Sequence, residues 1–403
     1  MNQYPISNES GQGVPPQPGY ATPAYPPQPG YTAQPTYQPQ PAYGSYPGMP
    51  PQYQPQPGYA VPAYPPQPGY YAPAAYPQPV YAPPFALRQE KNPAVRQASK
   101  TLNRLCFVML MQIAVGVLAG FLILPFSMLY LNDLLYSDMG VQWLETALVP
   151  LSTALPFLVY LKIGRKDVTE YLRFEKVGFF TATLCVLSGL ALCLLGNYPA
   201  FAIQDFLGQF GYEPSSVIET THQTMPMFLL EMFSTAVLVP VMEEFAFRGV
   251  MLSALRKHGT GFAIIASALV FAFAHGDFSS VVFAFIAGLV FGFLYVRTGN
   301  LWISICIHAL NNGIAVLESY SSFLFGETAA ITVQDLSMIV PIALGGFALL
   351  LLLLFRRKAL SRASGADGAC ALSAGGSASA IVRTPLFWVL FSFVVFYTAN
   401  LFF

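Results

Sequence analysis

The sequence predicts an all-α protein, a polytopic membrane helical bundle of about eight or nine transmembrane helices with a disordered N-terminal tail. Three observations carry this. Hydrophobic residues make up 54% of the 403 and charged ones only 9%, whereas an ordinary soluble domain carries about a quarter of its residues as charges. Apolar runs near or above the ~18 to 20 residues needed to cross a bilayer recur along the chain. Ahead of the first run lies a long tract with almost no charge and almost no Leu, Ile or Val.

That tract, residues 1–87, repeats Pro, Gln, Gly, Tyr and Ala, and PAYPPQPGY occurs at Pro23–Tyr31 and again at Pro62–Tyr70. Without apolar residues to bury it cannot build a core, and it reads as a cytoplasmic tail, partly polyproline II, that serves as a spacer or as an adhesive site for a protein partner. Pro50-Pro51-Gln52-Tyr53 matches a PPxY ligand for WW domains, a match that so Pro/Tyr-rich a tract produces by chance. Because the first apolar run starts only near Leu105, no cleavable signal peptide is expected.

Nine apolar segments follow: Leu105–Tyr130, Trp143–Leu161, Val177–Leu195, Met227–Leu252, Gly261–His275, Val281–Val296, Leu301–Leu317, Leu336–Phe355 and Leu386–Phe403. The fifth and sixth are short enough to be tilted or re-entrant. Charge alternates between them. Arg88 to Arg104 precede the first and Asp133 and Asp138 follow it; Lys162 to Lys176 lie between the second and third, and Asp205, Glu213 and Glu219 follow the third. Arg256, Lys257, Arg297, Arg356, Arg357, Lys358 and Arg383 keep that phase. By the positive-inside rule the N-terminus is cytoplasmic, the C-terminus is outside and the number of crossings is odd. Residues 88–355 form the membrane domain and 356–385 a flexible linker, with its Gly/Ser/Ala stretch at Ser361–Ser379. Residues 386–403 add a loosely attached last helix.

Equal numbers of basic and acidic residues, nineteen of each, give no reason to expect a nucleic-acid partner. The cysteines Cys106, Cys185, Cys193 and Cys306 sit in apolar runs and read as packing residues; Cys370 is the fifth.

An ionised side chain at mid-bilayer costs on the order of 2.5 to 3.5 kcal/mol by insertion scales, so polar residues there are functional candidates unless they pair. Segment four contains Glu243-Glu244-Phe-Ala-Phe-Arg248-Gly249, segment five ends in Phe271-Ala-Phe-Ala-His275, and segment seven contains His308-Ala-Leu-Asn311-Asn312. At 1.5 Å per residue, Glu243 lies ~20 Å from Arg256, His275 ~24 Å from Gly259, and His308 and Asn312 ~14 to 20 Å from Gly299, so all four fit one buried layer. Glu244 and Arg248, four apart, form a natural pair; Glu243, rotated ~100° from Glu244, is free to face a cavity. A peptidase needs a base for water, a group that orients the water and protonates the amine, and donors for the oxyanion. Glu243 suits the first role, His275 the second, and His308 with Asn312 the third.

EExxxR, FxxxH and HxxxN in this order on successive membrane helices resemble the CPBP family, which groups type II CaaX prenyl endopeptidases with bacterial Abi and bacteriocin-processing proteins. The match covers roughly residues 226–319. It implies an all-helical intramembrane endopeptidase acting on a peptide or lipidated-protein substrate, with Glu243, His275, His308 and Asn312 catalytic and Glu244 and Arg248 completing the first motif; the plasma membrane is the expected location.

Other readings stand beside this one. Glu244 and Arg248 form a structural ion pair, His275 donates to a backbone carbonyl, Asn311 makes an interhelical hydrogen bond, and His222 and His258 carry no chemistry. A zinc ion on Glu243, His275 and His308 is the alternative mechanism, although no HExxH occurs. A catalytically silent scaffold acting through the tail is the alternative function. Substrate and host are not legible in the sequence.

Overall fold

The computed structural model describes residues 92–130, 138–213, 223–356 and 371–402; the N-terminal tail, His222 and Cys370 lie outside these. Nine principal helices order the chain: α1 (Pro93–Tyr130), α2 (Gln142–Ile163), α3 (Phe179–Gly208), α4 (Met225–His258), α5 (Thr260–Phe273), α6 (Phe278–Thr298), α7 (Leu301–Ser319), α8 (Glu327–Phe355) and α9 (Pro385–Phe402). Eight contain stretches long and apolar enough to cross a membrane. The exception, α5, has 14 residues and rises only about 21 Å, short of a ~30 Å hydrocarbon layer. All-helical architecture is what this medium demands, since a helix satisfies its own backbone polar groups where no water is available. The chain is an integral membrane protein.

Backbone contacts sort the loops into two ends. At one end, Glu175 N donates to Gly299 O (2.9 Å), Leu301 N to Arg173 O (2.9 Å) and Leu372 N to His258 O (3.1 Å). At the other, Glu213 N donates to Leu401 O (2.9 Å) and Tyr212 Oη to Asp277 Oδ1 (2.6 Å). The loops rich in Lys and Arg gather at the first end, so the helices alternate in the phase that the charges predict. Gly299, which ends α6 at φ 63°, is required there: a Cβ would fall 2.5 Å from the Glu175 carboxyl carbon.

Two expectations about the C-terminal part fail among the described residues. Ala374–Val382, read as flexible linker, is a helix capped by Ser373, whose Oγ accepts from Gly376 N (3.2 Å). It carries a fully buried Ala380 and packs on α1. Small residues that signal flexibility in water here allow close helix packing. The last helix is also firmly seated rather than loosely attached. Phe387, Leu390 and Val394 are buried in the main core, Phe273 packs against Phe387 at 5.1 Å between ring centroids, and Leu386 N donates to Asn103 Oδ1 (3.1 Å).

Helix α4 is not uniform. Its turns at Ser234–Leu238 and Phe245–Leu252 are π-helical, a wide winding that concentrates at functional sites. Val239 N bonds Ser234 O five residues back. In that register the next donor, facing Thr235 O, would be residue 240, which is proline and has no N–H. Thr235 O is thereby left for another partner.

Candidate active site

The polar residues of α4, α5 and α7 converge around Phe271. Glu244 and Arg248 are buried completely, at 0% and 1% exposure, and pair through Oε1 and Nη1 at 2.8 Å. Burying a guanidinium among apolar helices requires further partners. Here Nη2 donates to Gly288 O (3.5 Å), and the group lies over the rings of Phe271 (4.2 Å) and Phe291 (4.8 Å), where the negative aromatic faces favour a cation. Glycine at 288 brings α6 close to α5: a Cβ there would sit 3.0 Å from that of Ala268.

His308 connects both glutamates. Its Nδ1 lies 3.0 Å from Glu244 Oε1, the oxygen that also holds Arg248, and its Nε2 lies 3.7 Å from Glu243 Oε2. Phe291 stacks on the imidazole at 5.1 Å, and Phe271 meets it edge-on at 6.0 Å. A carboxylate already bound to a guanidinium only accepts, so Nδ1 carries a proton. Sequence reasoning paired Glu244 with Arg248 and missed this second bond, which depends on α7 packing beside α4.

Glu243 differs from its neighbour. Its side chain is 17% exposed, it makes no direct hydrogen bond, and Oε2 is a buried oxygen without a hydrogen-bond partner. Glu244 Oε2 shares that last property. A buried carboxylate oxygen left open in this way is a natural seat for water.

His275 follows the end of α5, with Nδ1 3.0 Å from Phe271 O and its ring 4.7 Å from that of Phe271. Because a carbonyl can only accept, Nδ1 bears the proton and Nε2 keeps its lone pair in the neutral ring. The alternative role weighed for His275, donation to a carbonyl, is therefore present, and it orients the ring without using Nε2. Glu243, His308 and Arg248 are within electrostatic reach of His275. Gly276, at φ 84°, then turns the chain into α6.

Asn312 Nδ2 donates to Thr235 O (2.9 Å), the carbonyl that Pro240 leaves free, while Asn311 Nδ2 reaches only Asn312 Oδ1 (3.4 Å). This corrects the expectation that Asn311 makes the interhelical bond. One Asn312 N–H is committed and one remains. Phe291, Thr235 and Gly288 carry no polar signature in the sequence; only Phe271 was marked, as the first residue of FxxxH. His258, placed outside the chemistry by the sequence, is buried at the opposite end against Thr101 Oγ1 (2.9 Å).

The turn after His275 is covered. Asp277 caps α6, and its Oδ1 accepts from Ser279 N, Ser280 N, Ser279 Oγ and Tyr212 Oη. Burial acts to raise its pKa, but bonds from Ser279, Tyr212 and Ser280 outweigh it and hold the carboxyl below its ordinary value. Burial, reinforced by that same Asp277, pushes the Tyr212 phenol up to about 12.

The residues do not fit the zinc alternative. Among the described residues no three His, Cys, Asp or Glu side chains are placed to hold one metal ion together.

Fold and site define an α-helical integral membrane protein in which two glutamates and an arginine of α4 meet a histidine of α7, with His275 within electrostatic reach and Asn312 bonded to α4 one turn beyond His308. Residues 225–314, which hold this whole cluster, match the family model described as type II CAAX prenyl endopeptidase Rce1-like, so the resemblance read from the three motifs holds over this segment. The chain is similar to YdiL of Bacillus subtilis, whose name assigns it provisionally to the membrane peptidases: 27% identical over 164 residues, 40% of this chain and 66% of that one. It is also similar to the membrane-embedded CAAX protease MroQ of Staphylococcus aureus, with 35% identity over 100 residues, 23% of this chain and 39% of that one. The matches thus span just under two thirds of one relative and about two fifths of the other. No solved structure matches.

Proposed function

We propose that this chain is an intramembrane endopeptidase that hydrolyses peptide bonds of membrane-associated peptides or lipidated proteins, with Glu243 as the base. The observation that carries this reading is the asymmetry of the two glutamates: Glu244 is fully buried and locked by Arg248 and His308, whereas Glu243 is 17% exposed and makes no hydrogen bond. The similarity of residues 225–314 to endopeptidases supports it.

In this mechanism water bound at Glu243 Oε2 is oriented by the free Nε2 of His275. Glu243 takes one proton from it as the oxygen adds to the substrate carbonyl. The tetrahedral oxyanion accepts from the uncommitted N–H of Asn312 and from His308 Nε2. For the latter, His308 must be an imidazolium. Proton transfer from Glu243 through His275 to the departing amine then breaks the C–N bond and restores both groups.

The protein acts from the plasma membrane with its N-terminus cytoplasmic, and the Pro/Tyr tail presents a surface to a protein partner. The decisive experiment is Glu243→Gln, compared with the unaltered protein by peptide profiling of membranes and by cleavage in detergent. Removing the base while keeping the shape is expected to lower the rate at least ~10²-fold with no change in Tm. A variant that keeps more than a tenth of the rate overturns the assignment of Glu243.

A further inference from the structure

One sizeable cavity lies away from the active site. It is a groove of about 720 Å³ between α1 and α2, within the ~300 to 1,000 Å³ of small-molecule sites. Glu243, His275, His308 and Asn312 do not line it. Phe107, Met111, Leu155 and Val159 form its walls. All four are more than a third exposed, so the groove opens sideways, where the bilayer lies. From Arg104 to Val115 along α1 it runs about 16 Å, a length suited to much of an acyl chain.

Its mouth is charged. Arg104 and Lys166 line it at the Lys/Arg-rich end of the molecule, and Lys257 lies within electrostatic reach of both. None of the three has a carboxylate partner among the described residues. Asp167, next to Lys166 in sequence, has Oδ1 engaged by Thr169 N (2.9 Å). Lys166 Nζ is held in place by Tyr160 Oη (2.7 Å) and lies over the Tyr160 ring (4.1 Å), with Tyr171 as a second partner, and an ammonium with three donors still has one for a ligand. An apolar slot facing hydrocarbon, with several uncompensated cations at the headgroup level, has the complementarity of a lipid bearing a phosphate charge.

We propose that the α1–α2 groove binds an anionic phospholipid, its acyl chain between Phe107 and Val159 and its headgroup phosphate at Arg104, Lys166 and Lys257. The site is separate from the catalytic cluster and does not depend on the function proposed for it.

Native mass spectrometry of the full chain in neutral detergent tests this with phosphatidylglycerol and with phosphatidylcholine of the same acyl chains. One phosphatidylglycerol is expected to bind, and phosphatidylcholine is expected not to displace it. Each surface cation contributes about fivefold to such affinity, so Arg104→Gln with Lys166→Gln should weaken binding roughly 25-fold. Val159→Trp, which fills the slot without touching charge, should abolish it; this arm decides the matter if the charge variant does not fold. Equal binding of the two lipids, full retention by both variants, or competitive displacement of phosphatidylglycerol by a lipidated peptide that the protein cleaves would overturn the proposal. The last outcome would assign the groove to substrate.

Discussion

Glu244 and Glu243 are adjacent, and the difference between them is set by what each side chain meets. Glu244 Oε1 serves Arg248 and His308 together, so its removal strands a buried guanidinium and an imidazole donor. Glu244→Ala is expected to cost about 3 to 5 kcal/mol of stability, seen as a large drop in Tm or loss of folded protein, whereas Glu243→Gln leaves Tm unchanged. Equal destabilisation by the two would refute the division of roles. Helix phase made the Glu244–Arg248 pair legible in the sequence, because spacing by four is a local property. The His308 bond was not legible, since it depends on how α7 is rotated against α4. Spacing by four puts His308 and Asn312 on one face, but it does not tell which of the two adjacent asparagines makes the interhelical bond. Nothing in the spacing reveals that Pro240 leaves a carbonyl open opposite Asn312.

At the level of single elements, the π turn before Pro240 and the cap of α6 each position a site residue. Pro240→Ala supplies the missing N–H, so Thr235 O gains a backbone donor and Asn312 loses its anchor. The rate should fall about ten- to a hundredfold through misplacement of Asn312, with Tm unchanged or higher because a proline inside a helix is unfavourable. A variant of full activity would show that this anchor is dispensable. For Asp277 the folded carboxyl lies below its ordinary value, so its stabilisation is complete above the unfolded pKa of about 4 and is lost as pH falls through the depressed folded value. The Tm difference between the unaltered protein and Asp277→Asn should therefore be flat from pH 7 to about 4.5 and shrink below about 4. A difference that already narrows at pH 6 contradicts this. Such caps are hard to read from sequence: Gly276-Asp277 marks a helix start, but Tyr212, 65 residues earlier, supplies a decisive bond.

At the scale of the molecule, the nine apolar segments correspond among the described residues to eight helices long enough to cross a membrane and the shorter α5, because hydrocarbon thickness acts on composition directly. Segment ends were less legible. Helix α1 starts at Pro93 and takes in Arg96, Lys100 and Arg104, since long basic side chains on a helix can reach the interface. The two ends make a prediction about sidedness. In cells, a maleimide confined to the outside should label Phe210→Cys, whose side chain is exposed, and spare Arg165→Cys in the Lys/Arg-rich loop after α2. The reverse pattern would invert the assigned orientation.

Helix α9 bears on when the protein becomes competent during its synthesis. Phe273, two residues before His275, packs on Phe387 and Phe391. Tyr212, bonded to Asp277, meets Phe402 at 5.4 Å. All three partners are translated more than seventy residues after Asn312. A growing chain that has already inserted Glu243, His275, His308 and Asn312 thus holds its histidine turn without those supports, and the turn is braced from both sides only after α9 has left the ribosome and docked.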